Sequence, residues 1–494
     1  MSHYLQAHPL GQPVPRSVHA VCVSLPTMQD LIGYEEHHPE TLAAVKFAYP
    51  RFVVHDYLKR ICALAQERHG LDGRAVFAVY TEKAARELAA WIGAKDFGLI
   101  EKEGFVLVHF PDSPEAWKAA KAFVQHTGTG ISSRLAEDYL YAQGQIDSLQ
   151  PEPIREEDAE AHVRRALRPY IASNQLWLCA GGMSALHTAI KAIRKYQVPR
   201  GKTVYLQLGW LYLDTMKLLE SFLGPDEEAV VIYDVHDRDA IEAVFAEHGP
   251  RLAGVITELP NNPLVQTLDI EHLCELCLKH GVVRLFDPSL AGVVNVDVLP
   301  YTDLMPVSLT KYAANRGDIM IGALAVNPAS PHAAELATLV PDEVVAPYRR
   351  DIARLAYEID SMSEVAERVN ANALALAAYL ERSEKIERVY WPMQAGSEDH
   401  FRKIARHEMA LGSIITLDLA VPLADFYDAA TVVKGPSFGT NYTLMCPFLY
   451  LAHYDLASTE QGRAQLRSWG LNPELIRLSV GEESLEDILA ALRL

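Results

Sequence analysis

The sequence predicts an α/β protein with a mainly parallel, doubly wound sheet and a smaller α+β unit at the C-terminus. Apolar strands alternate with helical segments between residues 171 and 325. These strands lack the polar alternation of a half-exposed sheet, so we expect helices on both of their faces. With 494 residues, the chain is also long enough for two or three structural units.

We expect four successive regions. Residues 1–60 are rich in turn formers and indicate an arm that lies on another part of the protein. Helices and strands alternate in 61–170, which indicates an α/β insertion. Residues 171–325 form the large domain with the parallel sheet. Helices followed by strands in 326–494 indicate the small α+β domain.

Composition excludes several classes of function. The chain has 45 Lys and Arg against 64 Asp and Glu, a formal net charge of −19 that disfavours nucleic acid and anionic membranes as partners. No long apolar run or secretory leader is visible, so we expect a cytoplasmic protein. Of six cysteines only Cys274 and Cys277 are close, without a second pair at zinc spacing. We therefore expect reduced thiols and no metal site.

The strongest local motif is Ser308-Leu-Thr310-Lys311-Tyr, which follows an apolar strand. A Lys between hydroxyl residues is, taken alone, more often a surface residue. Upstream, Asp287 ends another apolar strand, where open α/β sheets place ligands. A buried carboxylate there needs a cationic partner such as a pyridinium nitrogen, or it takes up a proton. The alternative for Asp287 is a helix N-cap before Pro288.

A third motif contains Gly181, Gly182 and Met183, between an apolar strand and an apolar helix. Backbone N–H groups at such a helix start can bind a phosphate. A tight turn that requires glycine is the alternative. The chain lacks both the dinucleotide G-x-G-x-x-G fingerprint and the P-loop lysine motif, so nucleotide-binding functions are weakly supported.

We call residues 181–183 the phosphate cradle. The order of this cradle, the carboxylate of Asp287 and Lys311 resembles that in the pyridoxal-phosphate (PLP) enzymes of the aspartate-aminotransferase fold (fold type I). The finer pattern resembles their Cys/Met-metabolism family. The segments that match its motifs, in chain order, are 49–51, 210–215, 258–263, 308–311 and 476–481. Two departures are Pro288 in the turn after the carboxylate and Gly181 where the family commonly has serine.

This resemblance implies PLP as the cofactor and a role for each matching residue. Lys311 would hold the cofactor covalently and, with Tyr212, move protons, while Asp287 would pair with the ring nitrogen. The implied cofactor-binding set is Gly182, Met183, Tyr212 (stacked on the ring), Asn262 (at the phenolic oxygen), Asp287, Ser289, Ser308, Thr310, Lys311, Tyr49 and Arg51. The implied substrate-binding set is Arg477, which clamps the α-carboxylate, with Ser437 and Tyr49.

Within the family, segments 21–36 and 435–441 and the insertion look most like fungal-type cystathionine γ-synthases. This implies γ-replacement on an O-acyl-homoserine by cysteine, giving cystathionine for methionine biosynthesis. A γ-lyase and an O-acylhomoserine sulfhydrylase remain alternatives. A PLP-fold protein without activity is disfavoured because Lys311, Asp287 and Arg477 are all present.

The resemblance also concerns assembly. Tyr49 and Arg51 are expected to reach the phosphate of a neighbouring subunit, which requires at least a dimer, and the family is usually a dimer of dimers. The expected partners are small amino acids and other copies of the chain. The insertion is expected to be structural, at the subunit interface, with a metabolite-sensing module as the alternative.

Overall fold

A computed structural model describes residues 3–49 and 53–494. The arm contains β1 (Pro13–Val14), β2 (Cys22–Val23), α1 (Met28–Glu35) and α2 (Pro39–Ala44). Its apolar side chains pack on the C-terminal unit, where Leu25 shares a buried cluster with Leu449. The Leu25 N–H also donates to the Lys434 carbonyl at 2.9 Å. The arm is therefore packed on the body of its own chain.

A separate three-stranded sheet follows the arm. Its elements are α3 (Asp56–His69), β3 (Arg74–Val79), α4 (Glu82–Trp91), β4 (Gly98–Lys102), β5 (Phe105–Pro111) and α5 (Pro114–Thr127). The strands are antiparallel in the order β3-β5-β4. Side chains of Thr81 and Ser113 cap α4 and α5 by accepting from the backbone N–H three residues on. We call residues 56–128 the insertion module.

The large unit contains the central sheet. After α6 (Ser133–Ala142), its elements are α7 (Ala159–Leu167), β6 (Leu176–Cys179), α8 (Gly182–Gln197), β7 (Val204–Leu208), α9 (Leu213–Ser221), β8 (Glu228–Ile232), α10 (Arg238–His248), β9 (Leu252–Glu258), α11 (Ile270–His280), β10 (Val283–Asp287), β11 (Leu304–Ser308), β12 (Gly322–Val326), α12 (Ala333–Leu339) and α13 (Arg349–Glu358).

The central sheet has seven strands in the order β6-β12-β11-β10-β9-β7-β8. All neighbours are parallel except that β12 runs antiparallel to β11 and β6. Successive residues enter different buried clusters, as Leu285 and Phe286 do, so both faces of the sheet are covered. The predicted α/β class with a mainly parallel sheet is confirmed.

The C-terminal unit is built on a five-stranded sheet. Its elements are α14 (Met362–Leu380), β13 (Ile386–Tyr390), α15 (Glu398–Ile404), β14 (Ile414–Leu419), α16 (Leu423–Ala429), β15 (Val433–Lys434), β16 (Leu444–Pro447), α17 (Phe448–Ala452), α18 (Tyr454–Ala457), α19 (Glu460–Ser468), β17 (Ile476–Ser479) and α20 (Leu485–Leu492). The strand order is β13-β14-β17-β16-β15, with only β15 and β16 parallel. This is the smaller α+β unit that the sequence predicts.

The core of the large unit extends beyond the expected boundaries at 171 and 325. Val163 and Leu167 of α7 are fully buried in the same cluster as the sheet residue Phe286. Leu355 of α13 lies in that cluster as well. Helices on both sides of the predicted range are therefore needed to cover the sheet, because a parallel sheet must be buried on both faces.

The cysteines in the structure are free thiols, and most are buried. Within residues 3–49 and 53–494, no group of three or more His, Cys, Asp or Glu side chains is placed to hold a metal ion. The same residues form no helix that is both long and apolar enough to cross a membrane.

Candidate active site

The candidate site lies where the parallel strands of the large sheet end. Asp287 and Glu258 are direct neighbours in the register of β10 and β9. Ser308 ends β11 and pairs with Gly322 at the start of β12. The carboxyl ends of parallel strands share one edge of the sheet, so residues far apart in sequence converge there. The structure brings the predicted carboxylate and lysine motifs together at this edge.

The glycine pair forms the start of α8, with Gly181 as its N-cap. The first N–H groups of a helix have no acceptor within the helix and attract an anion. A Cβ at Gly181 would meet nothing within 4 Å, so the space before the helix is open. A Cβ on Gly322 would instead come within 2.5 Å of the Gly181 oxygen. Glycine at 322 therefore lets β12 approach the cradle closely.

The cradle also has an unpaired hydroxyl group. The Ser184 side chain is 1% exposed, and its Oγ has no hydrogen-bond partner among the described residues. Buried hydroxyls are normally paired, so the group points to a missing acceptor such as a phosphate oxygen. Ser308 lies beside the cradle as well, because a Cβ on Gly182 would be 3.0 Å from the Ser308 Cβ.

The two carboxylates at the strand ends share one buried environment. Burial and the charge of Asp287 raise the pKa of Glu258 well above its ordinary value. Burial raises the pKa of Asp287 to about 6, against the lowering effect of hydrogen bonds from Ser289. Burial thus favours a proton on Glu258, while the hydrogen bonds from Ser289 favour the charged form of Asp287. The charged carboxylate is thus the one that the motif predicted to face a ring nitrogen.

Two of the predicted hydroxyl residues hold the backbone of the site. The Ser289 Oγ accepts from the Ser308 N–H at 2.8 Å and joins two strand ends. The Thr310 Oγ1 accepts from the Ile321 N–H at 3.0 Å and donates to the Ile321 carbonyl at 3.2 Å. Both hydroxyls therefore fix the turns around Lys311, and their expected contacts with the cofactor stay predictions.

Lys311 is buried in the centre of the site, with 9% of its surface exposed. Its Nζ donates to the Tyr49 hydroxyl and lies 3.5 Å from the Ser437 Oγ. The amine also lies 4.5 Å from the centres of the Tyr49 and Phe438 rings. Burial and the charge of Arg477 lower the pKa of the Lys311 amine to about 7. A neutral amine at physiological pH is a nucleophile and a base.

Tyr49 completes the site of its own chain, whereas the sequence motif implied a contact with a neighbouring subunit's phosphate. The Tyr49 hydroxyl lies 3.2 Å from the Ser437 Oγ as well as against Lys311. Burial raises the pKa of this phenol, so it keeps its proton at neutral pH. The arm brings Tyr49 here because it folds back over the small unit. Arg51 lies outside the described residues, and the expected dimer stays a prediction.

Arg477 forms the opposite wall of the site. It is 5% exposed on β17, and its guanidinium donates to the Asn262 Oδ1 at 3.0 Å and the Ser437 carbonyl at 3.1 Å. These contacts hold a planar fork of donors in a fixed orientation, the geometry that binds a carboxylate with two hydrogen bonds. The structure thus brings together Arg477 and Ser437, both expected to bind the substrate, and places Asn262, expected at the phenolic oxygen of the cofactor, against the same guanidinium.

The segment that contains Ser437 has an unusual backbone. Ser437 has a φ of 119°, which non-glycine residues rarely adopt and which costs free energy. Gly439, two residues later, has a φ of 68°, and a Cβ there would lie 3.0 Å from the Lys311 Cβ. In this strained turn the Ser437 hydroxyl lies near the Lys311 amine, and the Ser437 carbonyl accepts a hydrogen bond from Arg477.

Tyr212 stands at the N-terminus of α9 and is partly exposed. Its backbone N–H donates to the Glu258 Oε1 at 2.6 Å, which ties the start of α9 to the strand ends. Glu258 begins the matching segment 258–263, but the motif predicts no role for its side chain. Its place at the end of a strand next to that of Asp287 was the signal that could have identified this contact.

These residues fit PLP. The open cradle with the orphaned Ser184 hydroxyl suits the phosphate, and Asp287 suits a ring nitrogen. When bound, the cofactor withdraws electrons from the α carbon of an amino acid and makes its proton acidic. In that arrangement Arg477 would orient the substrate through its carboxylate, Lys311 would hold the cofactor and move protons, and Tyr49 would shield the amine from water.

Comparison with known proteins identifies similar PLP-dependent enzymes. A family model described as Cys/Met metabolism PLP-dependent enzyme matches residues 160–493. The L-2-amino-4-chloropent-4-enoate dechlorinase/desaturase of Streptantibioticus cattleyicolor is 40% identical over 98% of this chain and 97% of its own length. The cystathionine γ-synthase of Neurospora crassa is 30% identical, over 65% of this chain and 51% of its own length.

A solved structure supports the fold. The crystal structure of cystathionine γ-lyase from Lactobacillus plantarum, complexed with L-serine, superposes with a TM-score of 0.57 at 19% identity. The superposition covers 68% of this chain and 85% of the lyase.

The lowered pKa of Lys311 predicts how cofactor loading depends on pH. Below pH 7 the amine is protonated and cannot attack an aldehyde, whereas above it the amine is free. The rate of PLP incorporation into the apoenzyme should therefore rise to a plateau with its midpoint near 7. Stopped-flow absorbance at several pH values measures it. A rate that still rises above pH 9, as for an ordinary lysine with a pKa of about 10.4, would contradict the assignment.

The Arg477 clamp predicts a loss of substrate carboxylate binding in Arg477→Lys. One point charge replaces two fixed hydrogen bonds, so we expect affinity for L-norvaline, which has no leaving group, to fall about 10- to 100-fold. The affinity is measured by adding L-norvaline to the PLP-loaded enzyme and following the absorbance of the cofactor. Arg463→Lys, at a partly exposed ion pair with Glu474 in the same unit, is the matched control. Equal affinities of the two variants for L-norvaline would show that Arg477 does not bind the substrate carboxylate.

Proposed function

The chain belongs to the Cys/Met metabolism PLP-dependent enzymes, and within that family we propose that it eliminates a leaving group from the γ carbon of an L-2-amino acid. The observation that carries this proposal is the contact between Lys311 and Tyr49. A neutral amine and a protonated phenol lie side by side in a buried site. They provide a base and a hydrogen-bond donor at the same place.

The clamp determines which substrate atoms meet these groups. With its carboxylate on Arg477, a substrate lies within reach of Lys311, since both residues contact Ser437. The Lys311 amine can then move protons at the α and β carbons. The hydroxyls of Tyr49 and Ser437 lie against the amine and can donate hydrogen bonds to a departing anion.

The relatives favour elimination over replacement by a thiol. The dechlorinase/desaturase is 40% identical over almost the whole chain, against 30% over 65% of it for the cystathionine γ-synthase. The substrate in the dechlorinase's name carries chlorine on C4, the γ carbon. Loss of one proton and one chloride from such a molecule leaves one additional carbon–carbon π bond. We therefore propose a γ-halogenated or similarly activated amino acid as the substrate.

γ-Replacement with cysteine, the function that the sequence motifs favoured, is the second candidate. Residues 435–441 look like the synthases, and in the structure this segment contributes Ser437 to the site. The reaction begins with the same proton movements by Lys311. It differs in that a thiol then forms a bond to the γ carbon in place of the departed group.

The two candidates are distinguished by their products. We expect the PLP-loaded enzyme to release chloride from L-2-amino-4-chloropent-4-enoate, with an amino-acid product lighter by one HCl. Ion chromatography and mass spectrometry measure both, and added cysteine should change neither. Cystathionine formed from O-acetyl- or O-succinyl-homoserine and cysteine, without chloride release in the first assay, would contradict elimination and support the synthase.

A variant tests the contact that carries the proposal. Tyr49→Phe removes the hydroxyl but keeps the ring over Lys311, so we expect kcat for chloride release to fall about tenfold, within the range for one catalytic hydrogen-bonding group. Tyr379→Phe, an exposed tyrosine on α14, is the control. An unchanged kcat in Tyr49→Phe would show that the phenol takes no part.

A further inference from the structure

We propose that the insertion module positions the cofactor site, with Gly128 and His126 at the end of α5 as its positioning residues. The expectation was a structural segment at a subunit interface. In the structure, α5 packs on α8 and α9 of its own chain, the helices that begin at the phosphate cradle and at Tyr212. The proposal concerns cofactor binding and does not depend on which amino acid is the substrate.

The first contact is between the end of α5 and the cradle. Gly128 ends α5 in the left-handed conformation, with a φ of 63°. A Cβ at this position would lie 2.6 Å from the Ser184 nitrogen and 3.1 Å from the Met183 carbonyl carbon. Both are backbone atoms in the first turn of α8, so they cannot move aside without moving the cradle. The module thus touches the phosphate-binding turn directly.

The second contact holds the first turn of α9. Asp214 is 1% exposed and lies two residues after Tyr212. Its Oδ1 accepts from the Gln125 side chain at 2.8 Å and lies 2.7 Å from the His126 Nδ1. A buried carboxylate requires such partners, so two side chains of α5 fix the start of the helix that presents Tyr212.

The third contact holds the other end of α9. Phe222, the residue after the last turn, stacks on Trp91 of α4 with ring centres 4.0 Å apart and an angle of 2°. The Phe123 ring of α5 lies 5.9 Å away, and His187 of α8 lies 6.3 Å away on edge. The helix is therefore fixed to the module at both ends, and its orientation follows that of α4 and α5.

Ion pairs add a fourth link. The buried carboxylate of Glu343, which follows α12, lies 2.5 Å from Lys191 and 2.6 Å from Lys83, and it also pairs with Lys195. Lys83 belongs to the module, whereas the other two lysines belong to α8. A further pair joins Lys191 to Glu87 of α4. One buried carboxylate thus connects the module with the helix that starts at the cradle.

These links give the module a role that a surface insertion would lack. It contacts the cofactor site at the start of α8 and, through Asp214, at the start of α9. A small displacement of α5 would shift the phosphate-binding N–H groups and the ring of Tyr212 together. His126 contacts Asp214, and Gly128 lies against the first turn of α8, so both act on the reaction by positioning other residues.

The test uses two glycines that differ in one respect. Gly70 ends α3 of the same module in the same left-handed conformation, with a φ of 59°, but a Cβ there meets nothing within 4 Å. Gly70→Ala and Gly128→Ala therefore carry the same backbone cost, and only the second disturbs the cradle. Both variants are measured as holoenzyme. The readouts are the rate of PLP release and the visible circular dichroism of the bound cofactor.

We expect Gly128→Ala to release PLP about tenfold faster than the wild type and to show a weaker dichroism band, while Gly70→Ala stays within about twofold. The unfolding temperature should fall in both variants, and further in Gly128→Ala, because its contact with the first turn of α8 adds to the shared backbone cost. Equal cofactor release from the two alanine variants would overturn the proposal, because the effect would then be a loss of stability alone.

A second pair of variants covers the case in which Gly128→Ala does not fold. His126→Ala removes one partner of Asp214, and His69→Ala removes an exposed histidine from the last turn of α3. We expect only His126→Ala to weaken the dichroism band and to lower kcat more than it raises KM. A His126→Ala enzyme with wild-type dichroism and PLP release would also overturn the proposal.

Discussion

The site depends on one constraint, the burial of four ionisable groups in a small volume at the ends of the strands. Glu258, Asp287, Lys311 and Arg477 are each less than 10% exposed. Away from water, the charge of each group is set by its neighbours, so Glu258 takes up a proton and Lys311 tends to lose one. Tyr49 of the arm covers the amine. Chemistry that needs a neutral amine at neutral pH follows from this burial.

Much of the fold and several site residues could be predicted because they depend on local sequence. Strands such as Leu176–Cys179 are apolar throughout, which requires helices on both faces. Asp287 ends a strand and Gly182 begins a helix. Each of these positions can be predicted from its own segment of the sequence. The convergence of these segments at one edge follows from the parallel order of the strands.

Contacts between distant segments could not be predicted in this way. Nothing near Tyr49 in the sequence indicates that the arm folds back to place its hydroxyl on Lys311, 262 positions away. The same holds for Asp214, whose partners lie on α5 of the insertion module. The motifs likewise give no sign that the hydroxyls of Ser289 and Thr310 accept hydrogen bonds from the backbone around Lys311. A motif identifies a residue type and its order, whereas its hydrogen bonds depend on tertiary packing.

The most direct test of this account is to locate the cofactor on the chain. The holoenzyme is reduced with borohydride, which fixes the cofactor to its lysine, and is then digested and analysed by mass spectrometry. The account predicts one modified lysine, Lys311. Lys434 is the informative alternative, because it is also buried and burial lowers its pKa to about 8. Cofactor on Lys434 or on any lysine other than Lys311 would contradict the account.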